Sequence, residues 1–113
     1  MLTNINATIK AFNEGESIQL YPKLLDAADQ FVVQYRNGVT SDMALDVGIE
    51  LFKALTSLSY IGQLREFEHD YKLHNRILLA RVRVFKACIP PQLDKLRGLP
   101  EMLVGMKENE LSN

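Results

Sequence analysis

Apolar positions recur every three or four residues along almost the whole chain, the period of helices that bury one face. Ile5, Ile9 and Phe12 open the series, and Gly15 marks a stop. Ser17 can cap a second helix, but Pro22, suited to a first helical turn, sets its start near Tyr21. Tyr21, Leu24, Leu25, Ala28, Phe31, Val32 and Tyr35 form its stripe, and Asn37-Gly38 ends it. Phe31, Val33 and Tyr35 also alternate as a strand before an Asn-Gly hairpin would. Only Val39 and Thr40 follow before the next helix start, too few for a returning strand, so the segment reads as helix.

Thr40-Ser41-Asp42 supplies capping residues for a third helix. Its buried stripe is Ala44, Val47, Leu51, Leu55 and Leu58, with Phe52 beside it. Gly48 in its interior costs about 1 kcal/mol relative to alanine, so a close helix–helix approach is expected there. Ser57, Ser59 and Gly62 weaken the pattern, and a turn or sharp kink is predicted at that point.

The next pattern runs from Gln63 to Ile89 and is stopped by Pro90-Pro91. As one helix it would be about 40 Å long, against about 28 Å for the second and third. Leu64, Phe67, Tyr71, Leu78, Val82, Phe85 and Ile89 fall on one side and are expected to face the core. The overhang would leave apolar surface near Phe85–Ile89, to be covered by the first helix, the C-terminal segment or a second subunit. Beyond the prolines, Leu93, Leu96, Leu99, Leu103 and Met106 suggest two short helical pieces divided at Gly98-Leu99-Pro100. Residues 1–3 and 108–113 are expected to fray. The predicted fold is all-α: a four-helix bundle-like single domain over residues 1–113, with one long fourth helix and a short helical C-terminal appendage.

Composition agrees with that outline. A chain of 113 residues is one domain in length and can bury about 65% of its unfolded surface. Hydrophobic residues at 47% and charged residues at 24% exclude wholesale disorder. The single cysteine, Cys88, excludes an internal disulfide, which suits a reducing setting. Met1-Leu-Thr-Asn-Ile lacks a basic region followed by an apolar run, and no apolar stretch approaches a membrane span. A cytoplasmic protein with no membrane association is therefore expected.

The net charge of −1 conceals an asymmetry. Residues 1–62 carry four Lys/Arg and seven Asp/Glu, whereas residues 63–113 carry nine and seven. That is too mild for a dedicated nucleic-acid domain, so any such binding would rest on a local stripe.

Such a stripe exists. Arg65, Lys72, Arg76 and Arg83, with Lys86 near them, lie on one side of the predicted fourth helix. The plainest reading is a solvated outer face with a local Glu68–Lys72 ion pair. The sharper readings are contact with an acidic protein surface, or with a phosphate backbone through counterion release. The stripe has no aromatic residue on which a base could stack, which disfavours the second. Leu93, Leu96, Leu99, Leu103 and Met106 form another candidate contact, as a short amphipathic segment docking into a partner groove, or more simply folding back on its own bundle.

Catalytic and metal chemistry is poorly represented. Glu66 and His69 have the Glu-x-x-His spacing of carboxylate-bridged di-metal bundles, with Asp70 and His74 nearby. A complete site needs a second such motif, and the chain has only two histidines. His74 reads as a partly buried core histidine, or more sharply as a pH-sensitive group at an interface. Arg81, at the edge of the same face, would snorkel or pair with an acid. Cys88 reads as a small buried hydrophobe rather than a nucleophile. No glycine-rich phosphate loop or nucleophile elbow appears. The expectation is therefore a non-enzymatic interaction protein, an adaptor, inhibitor or accessory subunit with a protein partner and no metal or cofactor, self-associating or built into a larger assembly. The alternatives are an accessory nucleic-acid-binding subunit and, remotely, a metal-binding bundle.

Overall fold

The computed structural model describes residues 1–15, 20–64 and 71–93. Among them the helical periodicity becomes α1 (Leu2–Gly15), α2 (Tyr21–Gln34), α3 (Asp42–Leu64) and α4 (Tyr71–Ala87), followed by a 3-10 turn at Pro91–Leu93. The described residues contain no strand, and the fold is an all-α, bundle-like domain.

α3 and α4 form the most extensive pair; α1 packs on α3, α2 on α4, and α1 on α2, with α2 also touching α3. The domain measures 40 × 33 × 16 Å. Its thinnest direction is thus no deeper than two packed helices with axes about 8–10 Å apart. The centre is filled by Ile5, Leu24, Phe31, Leu51, Leu55, Leu58, Ile77 and Val84, all fully buried. Burying each such side chain contributes about 1.5–3 kcal/mol, so this cluster dominates stability.

The local signals act as the physics requires. The Ser41 hydroxyl accepts the Ala44 amide at 3.1 Å, an N-cap on α3. Pro22 sits in the first turn of α2, where a missing amide hydrogen costs nothing. Asn37-Gly38 ends a helix and makes no hairpin. Gly38 has φ +101°, and a Cβ there would run into the Ile89 carbonyl and lie 2.9 Å from Pro91 N. The Val39 amide donates to the Ala87 carbonyl at 3.0 Å, tying the α2–α3 connection to the end of α4.

Gly48 is a close-approach point. A Cβ would collide with Cys88 Sγ and lie 2.7 Å from Phe31 Cζ, so α2, α3 and α4 converge on the missing side chain.

Two expectations are corrected. No turn forms at Ser57–Gly62, because α3 runs on to Leu64. Thr56 Oγ1 donates to the Phe52 carbonyl at 2.9 Å and Ser59 Oγ to the Thr56 carbonyl at 2.8 Å, so these hydroxyls are satisfied along the helix itself. Leu58 is fully buried beside them and holds the segment on the core. Gln63 and Leu64 consequently close α3 rather than open the next helix, and α4 is described from Tyr71.

The second correction concerns orientation. Of the expected core face of the fourth helix, Leu78 and Val82 are only half-buried and Phe85 is exposed, while Ile89 lies beyond the end of α4. α4 instead buries Leu73, Ile77, Ala80, Val84 and Ala87. At 100° per residue the two faces lie about 150° apart. The helix has two apolar stripes, and the one with two alanines goes inward. Small side chains let α4 approach α3 closely, and the gain from a tight fit exceeds that from the larger residues.

Candidate interaction surface

Turning α4 by this amount decides where its charges lie. The helix carries Lys72, Arg76, Arg81, Arg83 and Lys86 and no acidic residue. α3 is the reverse in its first half, with Asp42, Asp46 and Glu50 exposed. The two most intimately packed helices thus have opposite electrostatic character on their outer sides.

Three residues of the predicted basic stripe lie at the surface of α4. Lys72, Arg76 and Arg83 are exposed, and among the described residues no ion pair reaches them. They extend over about 16 Å of helix, Arg76 and Arg83 two turns apart on nearly the same line. Lys86 is half-buried in the last turn, where a cation also complements the negative end of the helix dipole. Arg65 lies outside the described residues. Two ion pairs among the described residues, Lys10–Glu14 at 3.9 Å and Lys53–Glu50 at 3.3 Å, are both local and largely exposed, so they contribute little.

Arg81 departs from the stripe. Its guanidinium sits 5.8 Å from the centroid of the Phe52 ring, a cation–π contact across the α3–α4 seam. The Phe52 ring also meets Phe85, with centroids 5.8 Å apart and planes at 52°. Around this pair lie Leu45, Leu78 and Val82, half-buried, and Ile49, 40% exposed. Phe85 itself is 48% exposed. This outer apolar face was missed by sequence reasoning, which placed Phe85, Leu78 and Val82 inside. The available signal was the second stripe on α4, its four-three spacing marked by Ala80 and Ala87.

The remaining candidates contribute less. Burial pushes the Cys88 thiol from 9.0 up to about 11, so it stays protonated at neutral pH and packs against Gly48. His74 is half-buried on α4. Among the described residues no three His, Cys, Asp or Glu side chains are grouped as a metal would need. Glu66, Glu68, His69 and Asp70 lie outside those residues, and with Glu68 the ion pair expected for Lys72. Leu93 is 44% exposed, and Leu96, Leu99, Leu103 and Met106 lie outside them as well. Surface concavities of 440 and 230 Å³ flank α1, lined by residues such as Asn6, Lys10 and Glu50, and Asn4, Lys23 and Asp26. Neither brings an activated nucleophile and its base together. No described helix is long and apolar enough to cross a membrane.

Comparison with protein-family models, with curated proteins and with solved structures returns no match.

Proposed function

We propose that this protein is a small, non-enzymatic interaction protein of the cytoplasm, an adaptor, inhibitor or accessory subunit, that engages an acidic protein surface through α4. The observation that carries the reading is the charge of that helix between Tyr71 and Ala87: five cations and no acid within those residues, with Lys72, Arg76 and Arg83 exposed without an ion pair among the described residues. A solvated helix face normally mixes signs, because neighbouring opposite charges stabilise the helix and like charges four residues apart destabilise it. Lys72 and Arg76 are such a like-charged pair, which the helix tolerates at a cost of about 0.2–0.5 kcal/mol. An acidic partner would offset that cost on binding. The exposed Leu93 and the apolar positions after it would extend the contact.

Tagged protein recovered from its native host tests the reading. Arg76→Glu together with Arg83→Glu should remove the bound partner while stability stays within about 0.5 kcal/mol, since both side chains are exposed. Lys10→Glu on α1 serves as the control and should leave the partner in place. Retention of the partner by the doubly reversed variant would overturn the assignment to α4. Nucleic acid in place of protein, released steeply by salt, would transfer the surface to a phosphate backbone.

A further inference from the structure

We infer that the outer α3–α4 face is the seat of this chain's own C-terminal segment, which turns back after Leu93 and lays Leu99, Leu103 and Met106 along the seam. The face lies away from the basic side of α4, so this contact stands apart from the one proposed above.

The face is laid out for a helix. On α3, Leu45, Ile49 and Phe52 are spaced four and three residues apart, and on α4 Leu78, Val82 and Phe85 have the same spacing. Each triplet follows the 3.5-residue repeat with which a helix presents a line of apolar side chains to another helix. α3 and α4 run antiparallel: a Cβ on Gly48 would meet Cys88 Sγ, while Phe52, further along α3, meets Phe85 and Arg81, further back on α4. The two lines therefore lie side by side for about two turns, with Ile49 level with the last turn of α4. None of the six side chains is fully buried, and Phe85 at 48% and Ile49 at 40% exposure belong to one continuous strip, the form that marks a contact site.

The sequence after Leu93 carries the complement. Leu96, Leu99, Leu103 and Met106 are three, four and three residues apart, the same repeat. Gly98 suits the stop of one helical piece and Pro100 the first turn of the next, which puts Leu103, Met106 and Glu110 on one side of the second piece. The segment also starts in the right place. Pro90 and Pro91 pack against Gly38, just before α3 begins, so Leu93 lies at the end of the bundle that holds Leu45 and Phe85. From Leu93 to Leu99 the chain can span about 20 Å, enough to reach the strip.

Charge sets the register. Arg81 lies in the seam over the Phe52 ring, and among the described residues no ion pair reaches it. Glu110 follows Met106 by four residues, and Arg81 precedes Phe85 by four. With the segment antiparallel to α4, Met106 beside Phe85 brings Glu110 beside Arg81, about 6 Å further along, and directs Leu103 towards Leu45. Tethering selects this occupant over a separate chain, because a short linker holds the segment at millimolar effective concentration. Lys72, Arg76 and Arg83 lie about 130° around α4 from the Leu78–Phe85 line and stay open to a partner. A partner that takes up Leu93 and the apolar positions after it must first lift the segment from its seat.

Disulfide trapping in the full chain tests this. In a Cys88→Ala background, Ile49→Cys is paired with Met106→Cys. The control pairs Met106→Cys with Val33→Cys on α2, where Val33 is 70% exposed. Under mild oxidation the Ile49 pair should close within one chain about tenfold faster than the Val33 pair, at a rate independent of protein concentration. Adding Leu103→Asp should bring that rate down to the control, with helicity by circular dichroism unchanged. Arg81→Glu should slow closure, and Glu110→Arg in the same chain should restore it. Equal rates for the two pairs, no closure of the Ile49 pair, or a rate indifferent to Leu103→Asp would overturn the seat. Links that form between chains and increase with protein concentration would overturn it as well, and give the face to a second copy. Failure of Glu110→Arg to restore closure overturns the register.

Discussion

The Phe52 and Phe85 rings meet with centroids 5.8 Å apart on the outside of the α3–α4 pair, and Phe85 keeps 48% of its surface exposed. An aromatic residue that would ordinarily anchor a core is thus half in solvent, while Ala80 and Ala87 on the same helix lie inside. Stability should therefore respond in the reverse of the order that residue size suggests. In a Leu103→Asp background, Ile77→Ala should cost about 2–4 kcal/mol and Phe85→Ala about 1 kcal/mol, because only the first leaves an enclosed cavity. Urea denaturation of the two variants measures the difference. Comparable losses would mean that the face containing Phe85 is the buried one.

Gly48 offers a contest between two opposed effects. Alanine in a helix interior is worth about 1 kcal/mol over glycine. Here a Cβ would collide with Cys88 Sγ and approach Phe31 Cζ to 2.7 Å, and overpacking of this kind costs about 1–3 kcal/mol. Gly48→Ala should be net destabilising, and Cys88→Ala in the same chain should recover part of the loss by removing the colliding sulfur. A double-mutant cycle by chemical denaturation gives the sign and size of that coupling. Stabilisation by Gly48→Ala alone would show that α2, α3 and α4 do not converge there.

Cys88 provides a pH signature. Its thiol titrates at about 11 in the folded chain against 9.0 when solvated, because burial disfavours the thiolate. Below pH 9 both states hold the proton and the group does not alter stability. Between about 9 and 11 the unfolded chain releases it and the folded chain does not, so stability falls as pH rises through that interval. Cys88→Ala should remove this component of the alkaline decline. Alkylation by iodoacetamide at pH 8 should be slow in the native protein and fast in denaturant.

Much of the helical outline was legible from residues acting on their own neighbours. Ser41 caps α3, Pro22 opens α2 and Gly38 terminates the α2 segment; the expected stripes of α1 and α3 are buried, as are Leu24, Leu25, Ala28 and Phe31 of α2, and Ala27, Ala54 and Ser59 are buried beside them. Such signals involve a few consecutive residues, so the chain carries them whatever surrounds it. Gly48 was also read correctly as a close approach, since a glycine kept inside a helix implies something that a side chain would obstruct.

Other features depended on surroundings that no local pattern encodes. The serines near the end of α3 read as a break, but the Thr56 and Ser59 hydroxyls bond back to the helix and Leu58 holds it to the core. The stripe of Lys72, Arg76 and Arg83 was visible as a pattern; that α4 is exposed along it required the packing.

The sequence by itself determined an all-α chain, its capped helix starts, its glycine contacts and a basic side to α4, because these follow from backbone preference and from charge placed at helical spacing. Only the tertiary structure decided which of two apolar stripes on α4 turns inward. Both stripes gain by leaving water. The choice fell to the one whose small residues let α3 and α4 pack tightly, and it left Phe85 and its neighbours on the outside.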